Sequence, residues 1–239
     1  MEQRAYGLPQ EALKLIACIS MLIDHFGVGI VRQLHTPWMI DLYYACRIIG
    51  RFAFPIYCFL LVEGMRRTRN PGKYILRLAM GILLAELPFD LLFEGGFTWG
   101  YQSVMVTLTL GAMMLLCMQK TDKKWLKILL VLPFAILAGL AKCDYGSGGI
   151  VMIAVFALFE QLAIQTVALW LVNRELLPTA AVRIFGFVLR IQLLALLAQI
   201  PIGLYNGRKL SHSKALQWGF YLFYPVHLLV LWMILLIIR

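Results

Sequence analysis

Charge is what this sequence has least of. Asp, Glu, Lys and Arg make up 14% of its 239 residues, against 62% hydrophobic. A soluble domain carries nearly twice that charge, so a soluble globular fold is excluded. The alternation of polar and apolar residues that marks an outer-membrane barrel is absent as well. Cys18, Cys46, Cys58, Cys117 and Cys143 form no CxxC pair and lie mostly inside apolar stretches. They read as small packing residues, which argues against a disulfide framework or a metal site. Gly146, Gly148 and Gly149 lack GxGxxG or Walker spacing, so they carry no nucleotide-binding signal. There is no internal repeat, no low-complexity tract and no soluble insertion. Residues 1–10 lack a small-residue cleavage site, and residues 10–32 are expected to stay as a first span.

What remains is a series of apolar stretches of membrane-crossing length, giving an all-α polytopic bundle formed by one membrane-embedded domain over residues 1–239. The expected spans are 10–32, 42–65 (kinked at Pro55), 74–93, 102–118, 126–141, 150–172, 184–204 and 216–238. A turn at Glu160-Gln161 would split 150–172 in two and raise the count from eight to nine. The net charge of +10 falls mostly in short loops, where it sets topology; no nucleic acid is expected. Arg66-Arg67-Thr68-Arg69 and Lys120 with Lys123, Lys124 and Lys127 mark cytoplasmic loops, and 94–101, without Lys or Arg, marks an outer one. The N-terminus is then cytoplasmic. Nine spans put the basic loop 205–214 inside and eight put it outside, while Arg174 and Arg183 pull the other way. The expected location is the inner (cytoplasmic) membrane, crossed many times.

Several ionisable residues lie inside these spans. Asp24 and His25 sit roughly 20 Å along a helix that begins near Glu11, where a charge costs several kcal/mol without a partner. Arg47, Arg51, Glu86, Asp90, Gln102 and Asp144 fall in the same outer half, and their mixed signs suit a paired cluster. Glu63 stands apart, near the cytoplasmic arginines. Any one of these could be an ion-pair rivet between helices, but together they exceed what packing requires. A cavity holding His25 beside a carboxylate suits general-base chemistry. Asp24 and His25 point about 100° apart on a helix, so Asp90 or Asp144 could orient the imidazole as well as Asp24. On the last span Tyr224 and His227 share a face beside Pro225, making His227 a second candidate.

Lys14-Leu15-Ile16-Ala17 followed by Met21-Leu22-Ile23-Asp24-His25-Phe26-Gly27 resembles the opening of the TraX proteins. The resemblance continues in Arg47-Ile48-Ile49-Gly50-Arg51-Phe52-Ala53-Phe54-Pro55-Ile56, Phe59-Leu60-Leu61-Val62-Glu63-Gly64, Lys73-Tyr74 with Arg77-Leu78, and Glu86-Leu87-Pro88-Phe89-Asp90. It extends to Gln102 with Thr107-Leu108, Asp144-Tyr145-Gly146, Tyr205-Asn206-Gly207 and Tyr224-Pro225-Val226-His227, while 150–199 matches only as apolar filler. TraX proteins are membrane acetylases of the pilin N-terminal amine, similar to wider membrane acyltransferases. The resemblance implies acetyl-CoA as donor, without a metal, and His25 as base, helped by Asp24 and His227. Arg51, Glu63, Glu86, Asp90, Gln102, Asp144 and Tyr145 would shape the cavity, and on the nine-span count Asn206, Arg208 and Lys209 would face the CoA phosphates. The acceptor would be an amine or hydroxyl of a protein, peptide or glycan reached from the membrane or outer side, with lipids as the other partner. The rival expectations are an ion- or proton-coupled transporter built on the same charged layer, and a non-catalytic assembly factor for a surface appendage.

Overall fold

The computed structural model describes residues 6–34, 39–177, 181–184, 187–211 and 213–238; the loop at His35 and Pro37 lies outside them. The chain is helical: α1 (Gln10–Gly29), α2 (Met39–Gly50), α3 (Ala53–Arg67), α4 (Pro71–Phe93), α5 (Val104–Met118), α6 (Lys124–Leu129), α7 (Val131–Leu140), α8 (Gly146–Leu158) and α9 (Leu162–Glu175). A hairpin of β1 (Ala181–Ile184) and β2 (Phe187–Arg190) follows, then a 3-10 helix (Ile191–Ala198), α10 (Gln199–Gly203) and α11 (Lys214–Ile238). Among the described residues three stretches are long and apolar enough to cross a membrane, Gln10–Gln33, Met39–Arg67 and Lys214–Ile238.

Prolines explain two of the breaks. A proline has no N–H for the carbonyl four residues back and crowds it. Pro55 therefore interrupts the ladder at Arg51, where α2 ends, rather than bending the span at Pro55 itself. Pro133 does the same at Leu129, where α6 gives way to α7. Pro88 and Pro225 lie inside continuous helices. The apolar run 150–172 is also two helices, separated by extended backbone at Phe159 and Gln161; α9 begins after the latter.

The chain is helical as expected, but the expected span 184–204 is not one helix, because an antiparallel β1–β2 pair occupies its start. Val182, Ile184, Phe187 and Val188 are β-branched or aromatic and favour strand, a local preference that hydropathy does not register.

Contacts divide the chain into two compact units. One comprises Met1–Tyr57, Pro88–Gly96 and Pro178–Arg239; the other Cys58–Leu87 and Phe97–Leu177. Two of the four boundaries fall within α3 and α4. In the second unit α5, α7 and α8 pack on one another around Met114, Ile150, Met152, Ile153 and Phe156.

In the first unit α1 packs on α2 through small residues. A Cβ on Gly27 would stand 2.6 Å from Cys46 Cβ, and one on Gly50 would collide with the Asp24 carboxylate. Helices without a hydrophobic drive between them associate by such close approach. α1 also lies beside α11: Lys14 Nζ sits 5.1 Å above the Phe220 ring, and further along His25 meets His227. The two helices therefore run parallel, with their N-termini at one end.

That end is tied by the chain before α1. Leu8 donates to the Leu204 carbonyl at 2.8 Å and accepts from Asn206 N–H at 3.0 Å, while Gln10 N–H reaches Arg208 O at 2.9 Å. The Glu11 carboxylate accepts the amides of Leu210 (2.9 Å) and Ser211 (3.3 Å).

Gly50→Ala should force α1 and α2 apart and cost about 1–3 kcal/mol, the range for overpacking a filled core. A lowered thermal midpoint in detergent with unchanged helix content is expected; an unchanged midpoint would show that α2 does not approach Asp24 this closely.

Candidate active site

The charged centre of the first unit is Asp24. Arg47 Nη1 donates to its Oδ2 at 2.6 Å, and Arg51 Nη2 reaches Oδ1 at 3.1 Å and Oδ2 at 3.3 Å. Arg47 and Arg51, one turn apart on α2 and its C-terminal turn, thus grip one carboxylate on α1. The same break that ends α2 completes the site. The Arg51 amide bonds to Ile48 O rather than Arg47 O, and the Arg47 carbonyl instead accepts Arg51 Nε at 3.1 Å. Arg51 Nη1 donates to Gln192 Oε1 at 2.9 Å, and Gln192 is 1% exposed. Every nitrogen of the Arg51 guanidinium therefore has an acceptor, which is how a guanidinium is tolerated away from water.

His25, one residue on, points to a different neighbour. Its Nδ1 lies 2.7 Å from His227 Nε2. The rings are within 9° of parallel and their centroids are 5.0 Å apart. The nitrogens are so much closer than the centroids that the rings must meet edge to edge, nearly in one plane. His227 Nδ1 lies 2.7 Å from the Phe223 carbonyl oxygen. A carbonyl only accepts, so His227 carries its proton on Nδ1. With both rings neutral, His227 Nε2 is then an acceptor and His25 Nδ1–H donates to it. The partners thus assign the tautomer of His25: Nε2 holds the lone pair. Phe93 and Tyr224 contact the same ring, with centroids at 5.3 and 6.0 Å.

The sequence candidates are distributed as follows. Asp24, His25, Arg51 and His227 come together in the first unit, as does the expected Tyr224–His227 face, with ring centroids 5.6 Å apart. Asp24 is bound by two arginines and His25 by His227, so the imidazole is oriented by a second histidine where a carboxylate was expected. Asp90, fully buried, belongs to the same unit.

Glu63, Glu86, Gln102, Asp144 and Tyr145 belong to the second unit. Glu63 pairs with Arg67 at 2.8 Å and stands 3.9 Å from Arg66, as its place next to this arginine cluster predicts. Glu86 accepts the N–H (3.1 Å) and hydroxyl (2.7 Å) of Ser103, which fastens the start of α5. Gln102 contributes its backbone, donating to Lys142 O and accepting from Asp144 N–H. Asp144 accepts from Tyr101 Oη at 3.1 Å and from the Tyr145 amide at 3.0 Å, and its carbonyl takes the Thr107 hydroxyl. Burial, and then the Asp144 carboxylate, push the Tyr101 phenol up, so it stays a donor. Tyr145 has φ of 62°, in the left-handed region that costs a bulky side chain energy.

Asn206 is a brace. Its Nδ2 donates to Gly7 O at 3.1 Å and its Oδ1 accepts the Arg208 amide at 2.9 Å. Arg208 is exposed and Lys209 half-buried. No group of three His, Cys, Asp or Glu side chains that could hold a metal occurs among the described residues.

Sequence reasoning missed Gln192, Phe93 and the Phe223 carbonyl. Gln192 had a signal, an amide in an otherwise apolar run. Phe93 and the carbonyl had none, because their roles arise from folding.

The family model described as "TraX protein" matches residues 9–235. The chain is similar to the "Probable fimbrial assembly protein FimC, serogroup H1" of Dichelobacter nodosus, 29% identical over 231 residues and 92% of each chain. It is also similar to "Protein TraX" of Escherichia coli, 27% identical over 149 residues, 61% of this chain and 54% of that protein. No solved structure matches it. With the match running almost from end to end and the helices apolar throughout, this chain is a membrane protein of the TraX family.

Proposed function

We propose that this protein is an integral-membrane acetyltransferase that moves an acetyl group from cytoplasmic acetyl-CoA to an amine or hydroxyl. The observation that carries this reading is the chain Phe223 carbonyl–His227–His25, which leaves an imidazole Nε2 lone pair in an aromatic-lined site. Such a nitrogen is suited to take the acceptor's proton as its N or O attacks the thioester carbonyl. The C–S bond then breaks, and the CoA thiolate leaves with that proton. His227 steadies the imidazolium formed in between, through Nε2. Asp24, held by Arg47 and Arg51, keeps α1 and α2 in register and is not needed as a proton carrier.

The donor fits the parallel pair of helices. Arg208 and Lys209 stand at the end where α1 and α11 begin, beside Glu11. Fourteen residues of helix separate Glu11 from His25, about 21 Å at 1.5 Å per residue. That is a span for an extended pantetheine arm, with phosphates at the basic loop and the thioester at His25. Asn206 acts indirectly, by shaping the loop. Parallel α1 and α11 begin on the same side of the membrane, which requires an odd number of crossings. The nine-span reading meets this with loop 205–214 and the N-terminus both cytoplasmic. The fimbrial-assembly relative, with the pilin-acetylase resemblance, points to a subunit of a surface appendage as acceptor.

Purified protein given labelled acetyl-CoA and a short peptide with a free N-terminal amine should transfer label. His25→Ala should lose about 10²–10⁴-fold in rate while keeping its thermal midpoint. Full transfer by a folded His25→Ala protein would remove the assignment, and vesicle uptake of an ion without CoA binding would favour transport. In the same assay Arg208→Glu with Lys209→Glu is expected to raise KM for acetyl-CoA about tenfold, a phosphate contact's worth, at unchanged kcat; an unchanged KM would place the phosphates elsewhere. A reporter fused after Arg239 should read as external, and an internal reading would exclude nine spans.

A further inference from the structure

We infer that Phe93 forms a size gate at His25 that restricts the donor to the shortest acyl groups. The inference rests on the acetyltransferase reading and names which thioesters it takes. The rings of Phe93 and Tyr224 meet His25 edge-on, at 73° and 67°, within the contact range of aromatic pairs. Neither ring stands alone. Phe93, the last residue of α4, leans on Phe89 with centroids 5.0 Å apart at 62°, and Phe89 is buried. Tyr224 packs edge-on against both imidazoles, with centroids 6.0 Å from His25 and 5.6 Å from His227, which sets it over the contact between them. The His227 ring is anchored to the Phe223 carbonyl.

An acceptor that gives its proton to His25 Nε2 must attack a carbonyl within a few ångströms of that atom. The acyl tail therefore starts beside the imidazole that Phe93 abuts. A methyl group ends there, whereas each further methylene has to displace Phe93 together with Phe89. Filled pockets of this kind discriminate by about 10–200-fold per misfit methylene.

The test compares CoA, acetyl-CoA and butyryl-CoA binding to the purified full-length protein by calorimetry. Wild type is expected to bind CoA and acetyl-CoA, with butyryl-CoA at least about tenfold weaker than acetyl-CoA. Phe93→Ala and the milder Phe93→Leu should close that gap while leaving CoA affinity unchanged. Equal binding of the two thioesters by wild type would overturn the gate, as would a gap that persists in whichever of the two variants keeps the wild-type thermal midpoint. Absence of binding by CoA itself would instead overturn the acetyltransferase reading, and the gate with it.

Discussion

One carboxylate shared by two guanidiniums is the interaction on which the first unit depends. Asp24 lies deep along a membrane helix, where an uncompensated charge is costly. Its two arginines come from a single turn of the neighbouring helix, and they reach it because Gly50 lets that helix come close. Arg51 in turn draws Gln192 and the Arg47 carbonyl into the cluster. Removing one member of such a set leaves the others buried and unpaired, a loss of about 3–5 kcal/mol for an ion pair. The clamp fixes the rotation of α1, and with it the direction in which His25 points.

Proline placement and small-residue placement serve the same end. Pro55 stops α2 at Arg51, freeing the Arg47 carbonyl for Arg51 Nε. Pro225 leaves α11 continuous, so Phe223 and His227 remain one helical turn apart and the carbonyl can hold the ring. At the opposite end the segment before α1 braces the basic loop through Asn206 and Glu11. The two ends of the parallel pair α1–α11 thus carry different chemistry, cationic at the start and imidazole further along.

Much of this was legible in the sequence because intramembrane charges are rare and must find partners. Asp24, Arg51 and His25 stood out on that ground, His227 by the face it shares with Tyr224 beside Pro225, and Glu63 was placed with its arginines by their nearness in the sequence. The pairing was harder to read. Composition cannot tell that two arginines share Asp24 while His25 turns to another histidine, since that choice depends on helix rotation. Glu86 and Asp144 looked like cavity groups, yet they fasten α5 and the turn before α8, because orphan amides and hydroxyls at helix starts compete for carboxylates. In the segment 181–203 hydropathy found the apolar helical stretch Ile191–Gly203 but not the strand pair before it. The strands and 3-10 turns there are set by local backbone preference and by what they pack against.

The central claim is that His25 presents an unprotonated Nε2. Nitrogen-15 NMR of the histidine side chains in lipid or detergent reads this directly, with His25→Gln and His227→Gln used to assign the signals. The account predicts Nδ1–H on both rings at neutral pH, with His25 Nε2 bare. A His25 ring protonated at Nε2 would contradict it.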